Sequence, residues 1–120
     1  MCVWVKAYYD EAYFCSKLPK PKVNNFQKFW KAHNIGPMKF MPIAFRKQAE
    51  LGSKRSIDNL DGNEVICDCM QWGMKLEDQK TLVVNSWFED IWEWKLFKEL
   101  VFTGWGVIIV DGYYEWFDPE

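Results

Sequence analysis

The chain has 120 residues, 49% of them hydrophobic and 18% aromatic, and a formal net charge of −2. That length suits one domain over residues 1–120 with a single core, burying roughly two-thirds of its unfolded surface. No apolar run reaches the roughly 18 residues of a membrane-spanning helix, and the N-terminus lacks the basic, apolar and small-residue zones of a signal peptide. An intracellular protein, in the cytoplasm or with DNA, is expected.

Eight Trp, nine Phe and five Tyr give each core position a large burial gain. The four cysteines are Cys2, Cys15, Cys67 and Cys69. None forms a C-x-x-C pair, and Cys67 and Cys69 are too close along one strand for an ordinary bridge, so reduced thiols are expected. Of the 15 basic residues only Arg46 and Arg55 are arginine. Nucleic-acid binders usually carry a basic excess, and composition alone argues against that class.

Residues 2–9 alternate loosely and read as a strand. Lys17–Val23, with Pro19 and Pro21, reads as an extended connector. Asn24 or Asn25 is positioned to cap a short helix running to Ala32, with Phe26, Phe29 and Trp30 on one face. Residues 38–45 read as a strand in which Pro42 requires an edge or a bulge. A polar loop is expected over 52–64. Residues 65–72 resume alternation, with Val65, Cys67, Cys69 and Gln71 on one face.

A short strand at 81–85 precedes a helix-like segment from Phe88 to Phe102, with Phe88, Trp92, Leu96 and Leu100 sharing a face. Residues 105–111 read as a buried strand, and Gly112 as a tight passage into the Tyr113–Trp116 segment. No internal repeat is present. The order of elements predicts an α+β fold with short helices and a curved, mostly antiparallel sheet.

Six segments carry a resemblance. The chain begins Met1-Cys2-Val3-Trp4, and later carries Asn34-Ile35-Gly36-Pro37 and Gln71-Trp72-Gly73-Met74. Then come Asn85-Ser86-Trp87-Phe88-Glu89, Phe97-Lys98-Glu99-Leu100 and Val110-Asp111-Gly112-Tyr113-Tyr114-Glu115-Trp116. In order, these resemble the M-C-G-R, N-x-A-P, R-W-G-L-x-P, N-A-R-x-E, F-K-x-L and A-D-G-F-Y-E-W elements of the SRAP family of abasic-site sensors, also called SOS-response-associated peptidases. The last match is the most specific. The resemblance covers the N-terminal part of the family domain; the later H-x-R-M-P histidine has no counterpart, and His33 lies in a different motif and reads as structural or surface.

The resemblance implies that Cys2, once Met1 is removed, reacts with the aldehyde of an abasic site in single-stranded DNA. Its α-amine and thiol on adjacent carbons close a thiazolidine, which an internal cysteine, whose nitrogen is an amide, does not do. It implies Glu115 as proton shuttle, with Tyr113, Tyr114 and Trp116 expected to strip water from it. It also implies Asn85 as the amide holding the sugar or forming imine. No metal or other cofactor is implied.

Trp4, Trp87 and Trp105 stand where the family patterns carry arginine, and Val3 stands in place of a glycine. Tryptophan stacks on bases but neutralises no phosphate. The runner-up expectation is a non-catalytic SRAP-like module binding a protein partner, either a complementary C-terminal chain or a second copy. Behind it stands a peptidase-like role for Cys2 and Glu115. Lys17, Lys20 and Lys22 read as a solvated loop able to touch phosphates.

Overall fold

The computed structural model describes residues 3–46, 64–78, 80–98, 100–101 and 104–116. Cys2, and all of the expected loop over 52–64 except Glu64, lie outside the described residues.

The first strand, β1 (Trp4–Ala7), buries Val5 and Ala7 and turns Trp4 and Lys6 to the other face, the period of two that a pleated strand imposes. Helix α1 (Glu11–Ser16) follows at once. Asp10 caps it, its carboxylate accepting the Tyr13 backbone N–H at 2.8 Å, which satisfies one of the orphan donors of a helix start. The helix sets Phe14 fully inside the core, a burial worth roughly 1.5–3 kcal/mol.

β2 (Lys22–Asn24) occupies the end of the expected connector. The helix expected to run to Ala32 is a single 3-10 turn, Phe26–Lys28, and Ala32–Ile35 is a strand, β3. Asn25 adopts a left-handed conformation (φ 56°) and makes no side-chain cap. Its amide instead donates to the Asp68 carboxylate at 2.9 Å. Phe29 turns extended, with φ −83° and ψ 126°, and is buried, while Trp30 stands in solvent.

β4 (Phe40–Arg46) and β5 (Val65–Gln71) form the longest ladder, antiparallel from Phe40↔Gln71 to Arg46↔Val65. Pro42 is fully buried there, opposite Cys69. β4 is an inner strand, not an edge. Its second partner, β8 (Val107–Ile108), reaches only Ile43 and Ala44, so Pro42 lies where β4 has one neighbour.

β6 (Met74–Lys75) and β7 (Leu82–Val83) make a separate two-stranded unit. The helix expected from Phe88 to Phe102 is broken into a 3-10 turn, Asp90–Trp92, and α2, Lys95–Lys98. Aromatic residues lose side-chain freedom against the preceding turn, and this segment is crowded with them. Phe88, Trp92 and Leu100 are exposed instead of forming a core face, and it is Val101 that is buried. The strand expected to be buried over 105–111 is likewise corrected: Val107 and Ile108 are exposed, while Ile109 and Val110 pack against the core.

β9 (Gly112–Tyr114) closes the order. The sheets run β3-β1-β9, β2-β5-β4-β8 and β6-β7. The fold is α+β. Among the described pairings only β2 with β5 is parallel, and the strands divide among three sheets. The buried cluster draws Val5, Ala7 and Ile35 from the first sheet and Met41, Ala44, Cys67 and Cys69 from the second, with Tyr9, Phe14 and Phe29 between. Among the described residues no helix is long and apolar enough to cross a membrane.

Burial pushes the Cys67 thiol from its ordinary 9.0 up to about 12, aided by the neighbouring Cys69, and burial with the Asp68 charge pushes Cys69 up to about 11. Burial and then Asp111 raise the Tyr9 phenol in the same sense. The folded state therefore holds these protons more tightly than the unfolded chain does. Below about pH 9 both states keep them, and above it the unfolded chain ionises first. The urea midpoint should fall steadily from pH 9 to 11, less steeply in a Cys67→Ala/Cys69→Ala variant. A midpoint flat across that range would contradict the account.

Candidate functional site

The D-G-Y-Y-E-W segment folds back beside the start of the chain. Asp111 sets the join: its carboxylate accepts the Tyr8 backbone N–H at 2.7 Å, and its own N–H donates to the Lys6 carbonyl at 2.8 Å. From there β9 runs antiparallel to β1 through Lys6↔Gly112, Val5↔Tyr113 and Trp4↔Tyr114. Gly112 is not a steric necessity, since a Cβ there would meet no atom within 4 Å.

Across this sheet lies a cleft of about 560 Å³, lined by Trp4 from β1, by Ala32, His33 and Asn34 from β3, and by Tyr114, Glu115 and Trp116. Its two outer strands are tied over β1, because the Tyr114 hydroxyl donates to the His33 carbonyl at 2.7 Å. The His33 ring stacks on Tyr8 with centroids 4.7 Å apart, and the Lys31 ammonium lies 4.8 Å from the Tyr8 centroid. His33 is exposed, as expected, and it also lines the cleft.

Trp4 is held in a specific way. A methyl group at Gly36 would stand 2.7 Å from Cζ3, 2.9 Å from Cη2 and 3.0 Å from Cε3 of the Trp4 ring. Only glycine lets that indole lie so close to the backbone after β3.

A second groove shares Ala32 and Asn34 with the first and adds Lys28, Trp30, Ile35, Met38, Lys39 and Phe40. The Lys28 ammonium sits 5.5 Å from the Phe40 ring centroid. Trp30, at 84% exposed, and Trp116, also 84%, are the most open large apolar side chains of the two grooves.

Of the three residues singled out from the sequence, Glu115 lines the first cleft, in an exposed position and not enclosed by its aromatic neighbours. Asn85 lines a different groove, with Gln71, Gly73, Met74, Val84 and Phe97 among its walls. The two grooves are joined through the backbone. Gly36, under Trp4, is followed two residues on by Met38, whose N–H donates to the Trp72 carbonyl at 2.7 Å. The Trp72 indole N–H in turn donates to the carbonyl of Val84 at 3.0 Å, next to Asn85. Cys2 lies outside the described residues. Sequence reasoning passed over Asn34, Gly36, Lys28 and Lys39; the N-x-A-P match carried a signal for the first two, and nothing local marked the lysines.

Among the described residues no cluster of three or more His, Cys, Asp or Glu is arranged to hold a metal ion. Cys67 and Cys69 are buried thiols of the core and take no part in the cleft.

A family model described as SOS response associated peptidase (SRAP) matches residues 1–120, and the chain belongs to the SRAP family. A search among curated proteins gave no match.

Proposed function

We propose that the chain captures abasic sites in single-stranded DNA covalently through Cys2. The β1–β9 ladder supports this reading most: Trp4 pairs with Tyr114, which brings Glu115 to the end of β1 at which the N-terminal residues enter. Trp4, two residues along the chain from Cys2, lines the same cleft as Glu115.

The chemistry follows from the functional groups. With Met1 removed, the Cys2 amine adds to the ring-opened C1′ aldehyde and gives a carbinolamine. Loss of one water leaves an imine. The thiol sulfur then adds to the imine carbon as its proton passes to nitrogen, forming the thiazolidine ring. Glu115 serves as the carboxyl that moves protons in ring opening and dehydration. Asn85 lines a separate groove, and its assignment to the sugar rests on the motif resemblance alone.

The test is an oligonucleotide with a single abasic site, incubated with protein whose intact mass proves Met1 absent. A covalent complex surviving a heated denaturing gel is the expected result. No such complex at low salt overturns the reading.

A second reading, a module that binds a protein partner, is favoured by one observation: Trp87, Phe88, Trp92, Trp94, Trp105, Val107 and Ile108 are all exposed, the residue types that mark an interaction surface where they lie together. It leads to a complex or oligomer in light scattering, and a clean monomer with no co-purifying chain would count against it.

A further inference from the structure

Trp4 and Gly36 depart together from the family pattern, tryptophan for arginine in M-C-G-R and glycine for alanine in N-x-A-P. The two positions are in contact, since an alanine methyl at 36 would stand 2.7 Å from the Trp4 ring. The first cleft thereby becomes an aromatic recess lined by Trp4, Tyr114 and Trp116, with no lysine or arginine among its lining residues. The adjoining groove is also largely apolar, with Trp30, Ile35, Met38 and Phe40 in its walls, but it carries two cations. It is lined by Lys28 and Lys39 and meets the recess along the shared wall of Ala32 and Asn34. Flat aromatic surface beside a basic track is the pairing that single-stranded nucleic acid requires, bases on the first and phosphates on the second.

We infer that a single DNA strand threads both grooves, with one unpaired base stacked on Trp4 in the recess and its phosphates running over Lys28 and Lys39. The inference rests on the proposed DNA substrate and adds the route and the grip. Base stacking replaces the charge contact that an arginine at position 4 would make. It also accounts for how a chain of net charge −2 holds a polyanion: two of its fifteen basic residues line the groove beside the recess, and part of the affinity comes from stacking, which salt does not screen.

The test uses undamaged strands, so that it is independent of the cross-link. A short oligothymidylate and a strand of equal length built wholly from base-less tetrahydrofuran residues are titrated at several salt concentrations, with anisotropy as readout. Wild-type protein should prefer the base-bearing strand by roughly 5- to 150-fold, the range of a single stacking contact. Trp4→Ala should remove that preference. Gly36→Ala, which displaces the ring without deleting it, should lower it as well, with near-ultraviolet circular dichroism and the melting transition showing that both variants fold.

Lys28→Ala/Lys39→Ala should keep the preference while flattening the slope of log affinity against log salt by about 1.4, two phosphates at about 0.7 each. Equal affinity of the wild type for the two strands overturns the inference, as does an unchanged salt slope in the double lysine variant. Failure of the cross-linking assay with these binding results intact would instead remove the covalent reading and leave the strand path standing.

Discussion

Replacing Cys2 with serine should abolish the heat-stable complex with an abasic oligonucleotide altogether. Serine keeps the α-amine, so the imine still forms, but its hydroxyl is a poor substitute for sulfur and no stable ring closes. Borohydride should therefore trap an adduct with Cys2→Ser that is absent from the untreated sample. Protein that retains Met1 should fail for a different reason, because the Cys2 nitrogen is then an amide. It carries no addable lone pair, although the Met1 amine remains free to form a trappable imine. Only the uncharged amine adds to the aldehyde, so the wild-type rate should climb from pH 6 to 8 as free amine appears. An undiminished heat-stable band with Cys2→Ser would remove the aminothiol from the mechanism.

Glu115→Gln should slow complex formation by roughly 10²- to 10⁴-fold, the usual span of a positioned general acid–base. The amide preserves size and shape but moves no proton, so the loss should fall on the rate of covalent capture and leave strand binding nearly intact. Glu115 stands exposed at the edge of the cleft, where small carboxylic acids have access from solvent, and added formate should therefore restore part of the lost rate. A Glu115→Gln protein that reacts at the wild-type rate would reduce this residue to a wall of the recess.

The sequence made some of this architecture legible and hid the rest for physical reasons. β1 and β5 could be read because Val5, Ala7, Cys67 and Cys69 alternate with outward residues, and a period of two requires no knowledge of partners. Helix α1 went unread because six residues show little periodicity, although Asp10 followed by Glu11 was a usable start signal. Phe26 and Phe29 misled because a spacing of three fits an α-helix and a 3-10 turn equally. The deciding interaction, the pairing of β3 with β1, is non-local. The segment from Phe88 to Phe102 shows the limit of periodicity as a guide, because its apolar face found no surface to cover.

The candidate site divides in the same manner. Cys2 and Glu115 came to notice through motif resemblance, and the ladder between β1 and β9 gives Glu115 its setting. The contact between Trp4 and Gly36 could not be read, although both departures from the motifs were visible. Two positions 32 residues apart become a pair only when β3 lies beside β1. Lys28 and Lys39, single lysines in unremarkable surroundings, acquire meaning only from the groove that gathers them.

The pairing of residues 4–6 with 112–114 has a consequence for how the protein is made. A ribosome adding about 5–20 residues per second needs roughly 5 to 20 seconds between the synthesis of the first strand and that of the last one in its sheet. Throughout that interval one margin of the first strand has no mate. The removal of Met1 that the proposed chemistry requires would have that interval in which to occur, before the cleft closes.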